Sequence, residues 1–153
     1  MAAPHITVKS PLGPLSLFER DGRIVALDYG RAGPDAPTPL LRAAARQLAA
    51  YFAGRLKAFD LPLAPAGTAF QQAVWEGMRR IPYGRTCSYA DLARELDSGP
   101  RAIGGACARN PLPIIIPCHR VLASGQRIGG YGSPGGLDTK RFLLELEGVH
   151  LAA

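Results

Sequence analysis

The chain has 153 residues, of which 47% are hydrophobic, and this suffices for one ordinary domain or two small subdomains that share a core. Its three cysteines, Cys87, Cys107 and Cys118, include no Cys-x-x-Cys pair, which argues against a disulfide framework and a thiolate zinc site. No apolar run is long enough to span a bilayer, and residues 1–10 lack the pattern of a secretory signal, so we expect a cytoplasmic protein without membrane contact.

The charge balance is basic. Eighteen Lys and Arg residues against twelve Asp and Glu residues give a net charge of +6. Such an excess is typical of proteins that bind a phosphate backbone. Many soluble proteins are also mildly basic, so the charge alone leaves both interpretations open.

The first third of the chain has the pattern of a scaffold. Short strands are predicted over residues 6–9, 15–19 and 23–27, and the Asp-Gly pair at 21–22 predicts a hairpin between the last two. Thr38 and Pro39 are suited to begin a helix that ends at Gly54. Its predicted inward face consists of Leu41, Ala44, Ala45, Leu48 and Phe52. Residues 61–67 hold two prolines, two alanines and a glycine, which predicts a joint between residues 1–66 and 67–153.

Two capping boxes follow the joint. Thr68 with Gln71 predicts a helix that Pro82 closes, with Phe70, Val74 and Met78 facing inward. Ser88 with Asp91 predicts a short helix over 89–96, and after the turn 97–99 another helix is expected from Pro100 to near Asn110. Two helices joined by a tight glycine turn suggest a helix-turn-helix.

The second helix of that pair has few side chains with which to read base edges, because it contains Ala102, Gly104, Gly105, Ala106 and Ala108. One interpretation is close packing against another helix of the same chain. The alternative is a smooth face that enters a shallow minor groove, with Arg101 and Arg109 for contacts to the base stack and the phosphates.

Residues 114–120 read Ile-Ile-Ile-Pro-Cys-His-Arg, which predicts a short buried strand that ends at Pro117. Cys118 is then either an inert core filler or a nucleophile. We expect His119 and Arg120 to lower the pKa of the thiol, and apolar filler would need neither, so the pattern favours a nucleophile.

The C-terminal part contains a glycine-rich segment and one more helix. Residues 125–136 include six glycines and Tyr131, which predicts a lid. Asp138 is expected to cap a final helix with Phe142 and Leu146 buried and Gly148 past its end. Glu147 opposes the helix dipole there, so it is either paired, with His119 as the candidate partner, or a solvated surface residue.

Several segments of the second part carry a family pattern. They are Phe70-Gln71-Gln72-Ala73-Val74-Trp75, Ile81-Pro82-Tyr83-Gly84, Ser88-Tyr89, Arg101-Ala102-Ile103-Gly104, and Asn110-Pro111-Leu112-Pro113-Ile114-Ile115-Ile116-Pro117-Cys118-His119-Arg120-Val121. This pattern resembles the O6-alkylguanine-DNA alkyltransferase family, and Pro-Cys-His-Arg-Val inside an Asn-Pro-x-Pro run is its most specific part. The similarity is continuous over residues 67–148, and the first part is similar in layout only.

The resemblance implies an α+β fold. A ribonuclease-H-like N-terminal subdomain with a small antiparallel sheet would precede a helical, winged helix-turn-helix domain. It also implies DNA repair, with an alkyl group moved once from O6 of guanine in double-stranded DNA to the protein's own cysteine after the nucleotide is turned out of the duplex. O4-alkylthymine is a possible further substrate.

By position, the resemblance implies that Cys118 accepts the alkyl group, His119 withdraws its proton through a water, and Glu147 orients the imidazole. Asn110 would brace the turn before the cysteine, and Tyr89 would contact the extruded nucleotide. Arg101 would take the place of that nucleotide in the base stack. The implied DNA contacts are Arg101, Ala102, Gly104, Gly105, Arg109 and Arg120. The implied pocket is lined near Val121, Tyr131, Ser133 and Cys107, with Cys107 also suited to be a small filler.

No metal or organic cofactor is expected, because histidine and glutamate activate the nucleophile and hydrogen bonds activate the leaving group. We also expect a monomer that needs no obligate protein partner. Three alternatives remain: an alkyltransferase-like lesion sensor without transfer, a transcription regulator, and a thiol hydrolase with a Cys-His-Glu triad. Cys118 argues against the sensor, the bare helix disfavours the regulator, and turnover would identify the hydrolase.

Overall fold

A computed structural model describes residues 3–132 and 134–151. The chain divides into two compact units, residues 1–66 and 67–153. In the described residues no helix combines the length and the apolar character that a membrane crossing requires.

The N-terminal unit is an antiparallel sheet packed against one helix. Strands β1 (His5–Val8), β2 (Leu15–Arg20) and β3 (Arg23–Tyr29) lie in that order, as the sequence predicts. Asp21 and Gly22, with φ of 50° and 76°, form the two-residue turn between β2 and β3. Both residues lie in the left-handed region, as a type I′ hairpin requires.

Helix α1 (Pro39–Phe52) begins at the predicted N-cap, because the Thr38 side chain accepts a hydrogen bond from the Leu41 amide at 3.1 Å. Leu41, Ala44 and Leu48 are fully buried, as predicted. The last turn differs from the prediction, since Tyr51 is buried in place of Phe52. Tyr51 follows Leu48 by three residues and Ala44 by seven, so it continues the same stripe.

The segment after α1 is more ordered than a joint rich in proline suggests. The Ile24 amide donates to the Pro62 carbonyl and the Ala64 amide donates to the Ile24 carbonyl, both at 2.9 Å. Residues 62–64 therefore extend the pairing of strand β3, and Leu61 is buried.

The C-terminal unit is mainly helical. Its elements are α2 (Ala69–Arg79), β4 (Cys87–Ser88), α3 (Tyr89–Glu95), α4 (Pro100–Ala108), β5 (Val121–Leu122) and α5 (Leu137–Leu146). Both predicted capping boxes are present, at Thr68 with Gln71 and at Ser88 with Asp91. Helices α3 and α4 form the predicted helix-turn-helix, and the Trp75 indole N–H donates to the Ala106 carbonyl at 2.9 Å, which joins α2 to α4.

Helix α2 corrects one predicted core position. Val74 and Met78 are fully buried, but Phe70 in the first turn is 37% exposed. Trp75 is buried instead, because its indole reaches across to α4.

The predicted strand over Ile114–Ile116 is absent from the described structure, and the prediction is wrong. Residues 114 and 115 form a turn in which Ile114 has φ of 75°, and Pro113 and Ile116 share only an isolated bridge. A β-branched residue in the left-handed region is strained, so tertiary contacts must hold this turn. All three isoleucines are buried, which explains why the apolar run resembled a strand.

Helix α5 also differs in phase and in its start. Gly136 is the N-cap and makes no side-chain cap, so the prediction that Asp138 caps the helix is wrong. The predicted buried residues Phe142 and Leu146 are only half-buried. The inward face consists of Thr139, Lys140, Leu143 and Leu144. Gly148, with φ of 86°, follows the helix as predicted.

Candidate active site

Cys118 is buried at the start of a single 3-10 turn, Cys118–Arg120, that follows the strained Ile114 turn. Asn110 holds the approach to it. The Asn110 side-chain N–H donates to the Ile116 carbonyl at 2.9 Å, and its carbonyl oxygen accepts from the Leu112 amide at 2.9 Å. One amide side chain thus fixes both ends of the Ile114 turn, which directly precedes the turn that carries the thiol.

Burial raises the pKa of the Cys118 thiol above its ordinary value of 9.0. Hydrogen bonds from Asn110 and Tyr131 and the charge of Lys140 oppose this rise. The expectation that His119 and Arg120 bring the thiol pKa down is therefore not met, because loss of solvent outweighs the favourable contacts. The resting residue is a thiol, and a base must take its proton before it can react as a nucleophile.

The predicted contact between His119 and Glu147 is present. His119 Nε2 lies 2.7 Å from Glu147 Oε2, and both side chains are fully buried. Burial lowers the pKa of His119 below 6.5 despite the nearby carboxylate, so the imidazole is neutral at pH 7. Because Nε2 then donates to Glu147, Nδ1 carries the lone pair, and it is buried with no hydrogen-bond partner among the residues described.

Arg120 occupies the other side of the same carboxylate. Its Nε donates to Glu147 Oε1 at 2.8 Å, its Nη2 donates to Glu147 Oε2 at 2.9 Å, and its Nη1 donates to the Ile81 carbonyl at 2.7 Å. The guanidinium also lies 5.8 Å from the ring centroid of Tyr83. Three of its N–H groups donate inside the protein and its side chain is 8% exposed, an arrangement that does not favour the predicted contact of Arg120 with DNA.

Lys140 is a site residue that the sequence reasoning missed. It is fully buried on α5, and its Nζ donates to the carbonyl oxygens of Val121 at 2.7 Å and of Gly130 at 3.1 Å. Nζ also lies 5.7 Å from the ring centroid of Tyr89. Lys140 falls seven residues before Glu147 on the helix face shared with Leu143, so a correct phase for α5 would have revealed it.

Tyr89 and Cys107 both lie close enough to Cys118 for their charges to interact. Burial and, to a smaller extent, the neighbouring thiols raise the pKa of Tyr89 to about 12. Its hydroxyl therefore remains a hydrogen-bond donor at neutral pH. Burial and Cys118 likewise raise the pKa of Cys107 to about 12. The Cys107 Sγ lies 3.5 Å from the Met78 sulfur, which fits its alternative role as a small filler.

Apart from two arginines, the outward face of α4 carries only small residues. Arg101, Ala102, Gly105 and Arg109 are exposed, and Gly104 is half-buried. A methyl group added to either glycine would meet no atom within 4 Å in the described part of the chain. The described structure therefore gives no packing reason for Gly104 or Gly105, and the interpretation that they allow close contact with another helix of this chain is not supported.

The remaining predicted pocket residues lie after the cysteine. Val121 is buried on β5, where it pairs with Cys87 of β4. Tyr131 reaches the Cys118 thiol, whereas Ser133 lies outside the described residues. Within residues 3–132 and 134–151, no group of three or more His, Cys, Asp or Glu side chains is arranged to hold a metal.

A buried thiol beside an imidazole–carboxylate pair, in the same unit as a helix-turn-helix, is the arrangement of a cysteine nucleophile in a DNA-binding fold. Two family models match the chain. The 6-O-methylguanine DNA methyltransferase ribonuclease-like domain matches residues 5–65, and the DNA-binding domain of the same family matches residues 69–149. The chain belongs to the 6-O-methylguanine DNA methyltransferase family.

Relatives of the chain align with it over more than nine tenths of its length. A methylated-DNA–protein-cysteine methyltransferase of Methanosarcina acetivorans is 42% identical over 92% of this chain and 95% of its own. The constitutive enzyme of the same name from Bacillus subtilis is 40% identical over 95% of each chain. Mycobacterium tuberculosis OGT in complex with DNA superimposes with a TM-score of 0.82 at 43% identity, over 94% of this chain and 91% of its own. The M. tuberculosis O6-methylguanine methyltransferase structure gives 0.84 at 39% identity, over 99% and 97%.

Proposed function

We propose that this protein repairs DNA by moving an alkyl group from O6 of guanine to Cys118, once per molecule. The observation that carries the proposal is the Cys118 thiol on a fixed turn, next to the buried His119–Glu147 pair, in a chain of this family. We further propose that double-stranded DNA is the partner, and that no metal, organic cofactor or other protein is needed. Activation by histidine and glutamate supplies what such a group would otherwise supply.

His119 acts as the base. Its Nδ1 takes the thiol proton, through one water, and the resulting imidazolium is stabilised by Glu147 at 2.7 Å. The thiolate then forms a bond to the alkyl carbon while the bond from that carbon to O6 breaks, and the electron pair goes to the guanine ring. Tyr89 donates a proton to the departing base and is reprotonated from the imidazolium, so the thiol proton ends on guanine.

The thioether that forms is not hydrolysed, so the protein acts in a single turnover. Titration with a duplex that contains one O6-methylguanine tests this. Repair should stop when one lesion has been restored per protein molecule. Continued turnover would contradict the proposal and favour a thiol hydrolase. Binding without any repair would favour the lesion sensor.

The alkyl carbon is not accessible inside a duplex, so the nucleotide must leave the base stack. Small side chains on the exposed α4 face would let the helix approach a shallow groove closely, and we propose that Arg101, exposed near the start of the helix, fills the gap. We propose that Arg101, Ala102, Gly104, Gly105 and Arg109 form this DNA interface.

Arg101→Ala tests the interface. We expect it to slow transfer from a methylated duplex while leaving reaction with free O6-benzylguanine unchanged, because only the duplex requires extrusion. Arg42→Ala, which removes an exposed charge in the N-terminal unit, is the matched control. An equal loss on both substrates would refute the role of Arg101.

A further inference from the structure

Lys140 is a buried cation that the chemistry proposed above does not use. Removing an ammonium from water costs free energy unless a partner compensates it, and an apolar side chain could fill the same space without that cost. No ion pair among the described residues includes Lys140. Its hydrogen bonds go to two neutral carbonyl oxygens, of Val121 and Gly130. With the Tyr89 ring at 5.7 Å these contacts solvate the ammonium, but none of them brings a negative charge to it.

The carbonyl oxygens fix the position of the ammonium. Val121 follows the 3-10 turn that begins with Cys118, and Gly130 lies in the glycine-rich segment before α5. Gly129, with φ of 72°, permits the approach, since a Cβ there would lie 3.2 Å from the Tyr89 ring and 3.5 Å from Lys140 Nζ. Residues from α3, β5, the 129–130 segment and α5 thus surround the Nζ atom.

The titratable groups that interact with Lys140 are two thiols, the Tyr89 phenol and the His119 imidazole, whose pKa the charge of Lys140 also lowers. The charge of Lys140 lowers the pKa of Cys118 and of Cys107, and thiolates at those positions would raise the pKa of Lys140. Burial dominates and lowers the pKa of Lys140 to about 8, so the ammonium is still the main form at neutral pH. The Cys107 sulfur lies against the Met78 sulfur at 3.5 Å, whereas Cys118 adjoins His119, the base proposed above, so Cys118 is the thiol that can use the charge.

We propose that Lys140 is a positioning residue of the alkyl-transfer site, whose ammonium, held by the carbonyl oxygens of Val121 and Gly130, stabilises the Cys118 thiolate. The proposal rests on the function proposed above. When the thiol proton moves to His119 through a water, the thiolate and the imidazolium are separated by that water, and Glu147 is shared between the imidazolium and Arg120. The charge of Lys140 then adds to the stabilisation of the thiolate. A cation fixed in advance supplies it without rearrangement during the reaction.

Two substitutions separate the charge from the hydrogen bonds. Lys140→Met removes both, whereas Lys140→Gln removes the charge and keeps N–H donors. Lys9→Met, at an exposed lysine, is the control. Two quantities are measured against pH for each protein: the rate of benzyl transfer from free O6-benzylguanine, and the rate of iodoacetamide labelling of Cys118, read by peptide mapping. The second does not depend on alkyl transfer, and urea unfolding shows whether each variant is folded.

We expect both Lys140 variants to react about tenfold more slowly near neutral pH, with both profiles moved about one pH unit upward, because one pKa unit changes the thiolate fraction tenfold. Lys9→Met should match the wild type. A wild-type profile for Lys140→Gln would overturn the proposal and leave Lys140 as a tie between backbone segments. If Lys140→Met does not fold, Lys140→Gln alone decides. If the wild type transfers no benzyl group, the proposed function fails, and the labelling profiles still decide the effect of Lys140 on Cys118.

Discussion

Within the C-terminal unit, the interior around Cys118 and the outward face of α4 carry side chains of opposite character. The interior holds four ionisable side chains that are almost fully removed from solvent, namely His119, Arg120, Lys140 and Glu147. The face of α4 has two arginines and otherwise only alanine and glycine. Activating a thiol requires charges that are fixed before the reaction, whereas approaching a groove requires that little project from the helix. Changes in the interior should therefore reduce stability and chemistry, and changes on the face should weaken DNA binding without loss of stability or chemistry.

Cys118→Ala should have the largest effect. Alkyl transfer should be lost completely, because no other residue replaces the sulfur. The dissociation constant for a duplex with O6-methylguanine should stay within about threefold of the wild-type value, a smaller change in binding free energy than the 1.4 kcal/mol of a tenfold change. Gel-shift titration and repair of the same labelled duplex measure both. Cys87→Ala should keep transfer. Loss of lesion binding together with transfer would show that the cysteine is structural.

Glu147→Ala should have the largest effect on stability. It leaves the Arg120 guanidinium buried without its carboxylate and removes the acceptor of His119, so we expect a loss of about 3–5 kcal/mol in the free energy of unfolding. Urea denaturation measures it. Glu76→Ala breaks an exposed pair with Arg79 at 2.9 Å and should lose at most about 1 kcal/mol. Equal losses in the two variants would mean that the interior pair is no different from a surface pair.

Substitutions of Gly105 test the role of the outward face of α4. Gly105→Ala and Gly105→Leu should both fold and gain up to about 1 kcal/mol of stability, because helix propensity improves, Gly105 is exposed, and a Cβ there meets no atom within 4 Å in the described residues. Only Gly105→Leu projects far from the helix, and we expect it to weaken duplex binding about tenfold, or 1.4 kcal/mol. Reaction with free O6-benzylguanine should be unchanged in both. Unaltered duplex binding by Gly105→Leu would remove α4 from the DNA interface.

His119 should give the smallest effect, a dependence of stability on pH. Burial holds its pKa in the folded state below 6.5, so below about pH 6.5 the unfolded chain takes up a proton that the folded chain resists. The free energy of unfolding should then fall as pH falls, by at most about 1.4 kcal/mol per pH unit from this group. His119→Gln should flatten the slope below about pH 6.5. His150→Gln, at an exposed histidine, should retain it, and a slope unchanged by His119→Gln would contradict the buried neutral imidazole.

Local signals predicted the scaffold of both units. The Asp21–Gly22 turn and the two capping boxes involve residues within four positions of each other, so the sequence alone specifies them. The Ile114 turn was missed because the Asn110 side chain, not backbone preference, holds a β-branched residue in the left-handed region. The buried contacts of Arg120 and Lys140 were not predicted, because their partners, Glu147 and Val121, lie 27 and 19 residues away.

The central claim is that the Cys118 sulfur becomes the permanent carrier of the alkyl group. Intact-mass measurement, followed by peptide mapping after incubation with a duplex containing O6-methylguanine, tests it most directly. The account predicts a gain of one methyl group per molecule, located on the peptide that holds Cys118 and absent from those that hold Cys87 and Cys107. A repaired guanine with an unmodified Cys118 peptide would contradict it.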